Sequence, residues 1–226
     1  MAEPAAKRPR EGGSQATGTR HTATRQLGGS GLRTTQLGLG GASLGDLFCK
    51  IPNGQALDTV TRCHELGVQY YDTAPWYGIG LSEARMGLAL SALPRDSYVL
   101  STKVGRYLRP HADEKTWESL GWAGGLQNGI EFAYTYDDIM RQHEDSVQRL
   151  GCGRVDCLVI HDIEEAEGQQ PTHARGTREF LAGDKGGYRA LEKLRASGKI
   201  KAFGAGINIA IGTPNRAPHQ TAVHGV

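Results

Sequence analysis

The chain has 226 residues, 38% of them apolar, which is enough to bury a sizeable core and suggests one domain. A formal net charge of +2, from 26 basic and 24 acidic residues, provides no global field that would recommend nucleic acid or a membrane surface as a partner, so small-molecule chemistry gains ground. Cys49, Cys63, Cys152 and Cys157 are too few and too unevenly spaced for a disulfide framework, and neither an apolar run of about 18 residues nor a secretory h-region is present, so a reducing, cytoplasmic setting is expected.

Residues 1–23 are rich in Gly, Ala, Pro, Ser, Thr and Arg without apolar period and read as a disordered basic tail. The run Lys7-Arg8-Pro9-Arg10 is short for a nuclear-import or nucleic-acid patch and is read as solvated. From Gln36 the pattern alternates short apolar runs with segments of helical period. The strand "QLGLGG" comes first. In "GQALDTVTRCHELG" Ala56, Val60 and Cys63 share a helix face, and Gly67 stands where a C-terminal glycine belongs. The strand "VQYYD" leads into "TAPWYGIG", and "SEARMGLALSAL" then places Met86, Leu90 and Leu93 on one face, with Ser82 as the expected N-cap. After the strand "YVLSTKV" comes a long segment, in which Trp117, Trp122, Phe132 and Tyr134 suggest a partly ordered lid. "DDIMRQHEDSVQRLG" reads as a helix capped by Asp137 and ended by Gly151, with Ile139, His143, Val147 and Leu150 on its buried face. In "VDCLVIH" the run Cys157 to Ile160 lacks polar alternation, as a parallel strand covered on both faces does. A second long loop, the helix "YRALEKLRASG" with Tyr188, Leu191 and Leu194, and the strand "IKAFGAG" complete the pattern. Strand and helix in alternation mean right-handed parallel units, either a doubly wound open sheet or a (β/α) barrel.

The strands end in polar side chains: Asp72, Lys103, His161 and Asn208, with Tyr77 following Asp72 across the turn. In a (β/α) barrel such ends ring one mouth, where residues distant in sequence converge. Any one of them taken alone suits a cap, a core aromatic or a solvated charge; four at corresponding strand ends are harder to explain that way. As a group they make chemical sense. An ammonium beside a phenol favours the phenolate and lowers a pKa that is ordinarily about 10. Lys103 is expected to do this for Tyr77, Asp72 to keep the lysine charged, and His161 to hydrogen-bond a substrate oxygen. Such a set suits hydride transfer at a carbonyl carbon. Competing chemistries lack their motifs: there is no H-x-H or H-E-x-x-H metal pair, P-loop or G-x-G-x-x-G. The acidic run Asp162, Glu164, Glu165 and Glu167 is read as a solvated loop rather than a metal site, and no metal is expected.

The stretches "YYDTAPWYGIGLSE", "LSTKVGR", "VDCLVIHD" and "ALEKLRASGKIKAFGAGIN" closely resemble the aldo/keto reductase family, and within it the branch of D-threo-aldose 1-dehydrogenases, also called L-fucose dehydrogenases. The resemblance covers residues 24–208. It implies a (β/α)8 barrel of the TIM type, NAD or NADP as cofactor, a small-molecule sugar or carbonyl as substrate, and a catalytic tetrad at Asp72, Tyr77, Lys103 and His161, with Tyr77 as the proton donor or acceptor. It also implies Gly40, Asp72 and Asn208 at the cofactor, and Trp76, His161 and Trp122 around the substrate. In this branch a C1 hydroxyl of an aldose such as L-fucose is oxidised to a lactone. Only five of the eight strands are expected, and residues 209–226 read as an irregular tail outside the family. Two further expectations follow: an open barrel edge that permits self-association, and, as an alternative function, a catalytically inactive truncated or assembly form.

Overall fold

In the computed structural model, which describes residues 22–110, 121–163 and 173–207, two short polar strands come first. β1 (Thr24–Gln26) and β2 (Arg33–Thr35) form an antiparallel hairpin. Then β3 (Leu39–Gly40), β4 (Tyr70–Asp72), β5 (Val99–Val104), β8 (Cys157–His161) and β9 (Ala202–Gly206) pair in that order, every neighbour parallel. Between β5 and β8 lies an antiparallel hairpin of β6 (Arg106–Pro110) and β7 (Asn128–Phe132). The helices are α1 (Asn53–Glu65), α2 (Leu81–Leu90), α3 (Tyr136–Leu150), α4 (His173–Phe180) and α5 (Gly187–Ala196). The five-unit α/β sheet has the strand order of a (β/α) barrel; among the described residues it stays open, with β3 and β9 at its edges.

The register decides what meets what. Asp72 pairs with Ser101, Lys103 with Val159, and His161 with Gly206. Side chains alternate along a strand and paired residues of parallel strands share a face, so Asp72, Lys103 and His161 point to the same side at the C-terminal strand ends. The opposite face carries Tyr71, Leu100, Val104, Leu158 and Ile160 into the main core, where Ala56, Val60, Met86, Leu90, Ile139, Leu191 and Leu194 come down from the helices. Each fully buried leucine of this layer contributes about 1.5–3 kcal/mol. At the N-terminal end of the site face, Leu32 of the first hairpin region covers Val99, Cys157 and Ala202. Polar ties join the two layers: buried Glu83 accepts from Thr102 Oγ1 at 2.7 Å and from Arg149 Nε at 2.6 Å, which fixes α2 and α3 against β5.

Local chemistry explains the helix ends. α1 buries Ala56 and Val60 as the period requires, and the chain leaves it through Gly67 at φ +87°. α3 begins with a capping box in which Thr135, not Asp137, is the N-cap: its side chain accepts from the Asp138 backbone N–H while Asp138 Oδ2 accepts from the Thr135 N–H. Ser82 is likewise not the cap of α2. It lies inside the first turn, where its hydroxyl donates to the Gly41 carbonyl at 2.7 Å and lies 2.9 Å from Thr73 Oγ1, a buried tie between strand ends. On α5 Leu191 and Leu194 are buried with Ala190, but Tyr188 stays partly exposed and packs edge-on against Phe180 and Phe203. No helix among the described residues is long and apolar enough to cross a membrane. The N-terminal tail through residue 21, Trp117, Asn208 and the tail from 209 lie outside the described residues.

Candidate active site

The turn after β4 brings the phenol to the strand ends. Tyr77 N–H donates to Ala74 O at 3.1 Å and Ile79 N–H to Trp76 O at 3.1 Å, a tight coil that needs left-handed backbone at Gly78, φ +62°. A Cβ at Gly78 would stand 2.4 Å from Gly45 O, so the turn is seated directly on the backbone of the β3–α1 loop. That loop is fixed in turn by buried Arg85, whose Nη1 donates to Leu44 O and to Asp46 Oδ1, both at 2.7 Å, and whose Nη2 donates to Ile51 O at 2.9 Å. The segment before β7 is laid over the same place: Ala123 N–H donates to Asp46 O at 3.1 Å and Leu126 N–H to Gly78 O at 2.9 Å. Trp122 is thereby set edge-on to Trp76, ring centres 5.6 Å apart, and tilted over Tyr77 at 6.2 Å.

Lys103 is the buried centre of the polar group. Its Nζ donates to Asp72 Oδ2 at 2.5 Å and to the Thr73 carbonyl at 3.1 Å, and lies 4.8 Å from the centre of the Tyr77 ring. Ser101 Oγ donates to the other oxygen of Asp72 at 2.6 Å, fixing the carboxylate from its own side of the sheet. Burial disfavours the Lys103 charge, but Asp72 and Tyr77 outweigh it and hold the ammonium above its ordinary value. The Tyr77 phenol behaves otherwise than its neighbour alone suggests. Burial raises its pKa and Lys103 pulls it down, and burial wins, because the ring sits under Trp122 and against His161, 5.8 Å away and perpendicular. His161, only 7% exposed, is pushed well below the usual imidazole range by burial and by the charges of Arg106 and Lys103, so the ring is neutral at physiological pH. Its Nδ1 is buried without a hydrogen-bond partner among the described residues, as is Trp122 Nε1.

Two residues of the site were not legible as such. Asp162, read as part of a solvated acidic run, is buried: it adopts left-handed backbone at φ +47°, donates its N–H to Gly206 O at 2.8 Å, and pairs with Arg106. The Arg106 guanidinium lies 4.7 Å over the Trp76 ring and 5.2 Å over that of Phe132. The signal was adjacency: Arg106 stands three residues after Lys103, and Asp162 follows His161. Of the residues expected at a cofactor, Gly40 is exposed at the end of β3 beside Asp72, and a Cβ there would meet nothing within 4 Å. Among the described residues no group of three His, Cys, Asp or Glu side chains is placed to hold a metal ion. A phenol, an ammonium held by a carboxylate, and a neutral imidazole, walled by two indoles, are equipped to move a proton to or from an oxygen at this opening.

This sheet, with that group at its C-terminal strand ends, is five units of a (β/α) barrel, and the profile of the aldo/keto reductase family matches residues 36–217. The chain belongs to the aldo/keto reductase family. It is 40% identical over 195 residues to pyridoxal 4-dehydrogenase of Microbacterium luteolum, covering 81% of this chain and 55% of that one. To D-threo-aldose 1-dehydrogenase of a Pseudomonas species it is 35% identical over 188 residues, 78% of this chain and 51% of the relative. The holo form of an aldo-keto reductase from Bacillus halodurans superposes with a TM-score of 0.59 at 28% identity, over 83% of this chain and 51% of that structure. The chain thus spans about half the length of the curated relatives it matches.

Proposed function

We propose that the chain is an NAD(P)-dependent oxidoreductase that oxidises the C1 hydroxyl of an aldose such as L-fucose to a lactone, or reduces a carbonyl in reverse, with Tyr77 as general acid and base. The observation that carries this reading is Lys103, buried between the Asp72 carboxylate and the Tyr77 phenol at the C-terminal strand ends. The relatives named a D-threo-aldose 1-dehydrogenase and a pyridoxal 4-dehydrogenase support an alcohol-to-carbonyl oxidation. Two residues present suit the reacting end of a nicotinamide: Gly40, where an added Cβ would meet nothing within 4 Å, and His161, whose buried Nδ1 has no hydrogen-bond partner among the described residues. When bound, NAD or NADP supplies the ring carbon that takes the hydride from C1 or returns it.

The chain's own residues have the proton. Tyr77 Oη accepts the proton of the C1 hydroxyl as the hydride leaves C1, so that the C1–O bond becomes the lactone carbonyl. Burial favours the protonated phenol and the Lys103 ammonium opposes it, lowering the cost of the phenolate that this step requires, while Asp72 keeps the ammonium charged and aimed. His161, neutral, orients the oxygen by hydrogen bonding without competing for the proton. Trp76 and Trp122 pack the apolar face of the sugar and exclude water. The experiment is reduction of NAD or NADP by the purified chain with L-fucose, followed by fluorescence, beside Tyr77→Phe. Turnover lost in the variant is expected. Turnover retained in Tyr77→Phe would overturn the assignment of the proton, and a folded chain that neither binds cofactor nor turns over would favour a non-catalytic form.

A further inference from the structure

Arg106 and Asp162 reach the site from beyond the ends of two neighbouring strands, β5 and β8. Arg106 opens the β6–β7 hairpin, and Asp162 follows the last residue of β8; their ion pair joins the two beside the imidazole. Both are nearly buried, with side chains 12% exposed, where a charge is costly unless it is matched. The Asp162 carboxylate Oδ2 that Arg106 engages is also 3.5 Å from His161 Nε2. Asp162 adopts a left-handed backbone conformation that a non-glycine residue rarely takes, and the Gly206 carbonyl on β9 holds it there. The guanidinium is wedged between the Trp76 and Phe132 rings, so it has no freedom to follow a rotating carboxylate.

We propose that Arg106 and Asp162 are a positioning pair for His161: the carboxylate draws the ring proton to Nε2 and fixes the imidazole's orientation, while the guanidinium cancels the carboxylate's charge and keeps the imidazole neutral. The alternative tautomer would put a donor at Nδ1, which is buried and faces no acceptor among the described residues. A carboxylate at this distance favours the imidazolium; burial opposes it most, and the charges of Arg106 and Lys103 add to that. Among the described residues, the charged and titratable groups facing the ring are Lys103 from β5, Arg106 from β6, Tyr77 from the turn after β4, and Asp162 from its own loop. The consequence is that a substrate oxygen meets a neutral N–H donor of fixed direction over the working pH range. This inference rests on His161 being part of the reacting site, and it adds two residues whose effect passes through it.

The test is nitrogen NMR of the purified chain labelled with 15N-histidine, without cofactor or substrate, the His161 signals being assigned by their loss in His161→Gln. In the unsubstituted chain His161 is expected as the Nε2–H tautomer, without protonation as the pH falls through the range where an exposed histidine titrates, at about 6.5. Asp162→Asn keeps the shape and tolerates left-handed backbone, so it folds; the Nε2–H preference is expected to give way to a mixture of tautomers. Arg106→Met keeps the packing volume but removes one of the two cations that disfavour the imidazolium, and is expected to raise the pH at which His161 protonates, with burial still holding it below the ordinary imidazole range. The double variant is expected to return toward the unsubstituted titration. An unchanged tautomer in Asp162→Asn, or titrations that move in the same direction in both single variants, would overturn the proposal and leave the pair a packing element. Because the readout needs no turnover, an inactive chain with these NMR results would refute the oxidoreductase reading and leave the pair standing.

Discussion

Replacing Gly78 with alanine separates the geometry of the Tyr77 turn from its chemistry. Two costs arise. Alanine at φ +62° occupies left-handed backbone, which costs about 1–2 kcal/mol. Its Cβ would also stand 2.4 Å from Gly45 O and 2.6 Å from Gly45 Cα, both backbone atoms, so no side-chain rotation relieves the clash. Overpacking of this kind costs about 1–3 kcal/mol, giving about 2–5 kcal/mol together. A matched control exists in Gly151, which ends α3 at φ +61° with nothing within 4 Å of an added Cβ, so Gly151→Ala carries only the conformational cost. Urea unfolding followed by circular dichroism should place Gly78→Ala below Gly151→Ala in stability by about 1–3 kcal/mol, the steric share alone. Equal losses in the two variants would refute the close seating of the turn on the β3–α1 loop, and with it the way Tyr77 is aimed.

Other consequences are as specific. Thr135→Ala removes the N-cap of α3 and should cost about 1 kcal/mol in the same unfolding measurement, with Thr135→Ser recovering most of it. His143 and His161 both have folded-state pKa values below the ordinary one, from burial in each case, with Lys199 adding at His143, and with Arg106 and Lys103 adding at His161. The unfolded chain therefore binds more protons than the folded one once the pH drops below about 6.5, and stability is lost from there downward. Unfolding at pH 7.5 and pH 5.5 should show that loss, and His143→Leu, in which a buried ring with no hydrogen-bond partner among the described residues is replaced by an apolar side chain, should reduce the pH slope. A slope unaffected by the substitution would mean that His143 is solvated.

Much of the sheet was legible because its strands announce themselves. The run from Cys157 to Ile160 has no polar alternation, and every residue of β8 is buried. The site was legible to the extent that its residues end those strands, which parallel register then brings to one side. What was hidden is of three kinds. The strands of the two hairpins are short and polar or joined through a long intervening segment, so neither period nor turn length marks them: β1 reads Thr24-Arg25-Gln26, and β6 and β7 are separated by residues 111–127. The Arg106–Asp162 pair joins residues 56 positions apart, which only the fold brings together. The phenol of Tyr77 was expected to be lowered by Lys103, but sequence gives the neighbouring charge and not the burial, and burial is the larger influence.

In the function proposed above, Tyr77 and Lys103 act as one proton-transferring unit. The most direct measurement is kcat for L-fucose oxidation in Tyr77→Phe, Lys103→Met and the double variant, each verified as folded by circular dichroism. Each single substitution should lower kcat by about 10²–10⁴-fold, and the double should lose little more than the worse single, because a unit can be broken only once. Losses that multiply in the double variant, or a Lys103→Met enzyme with undiminished kcat, would contradict it.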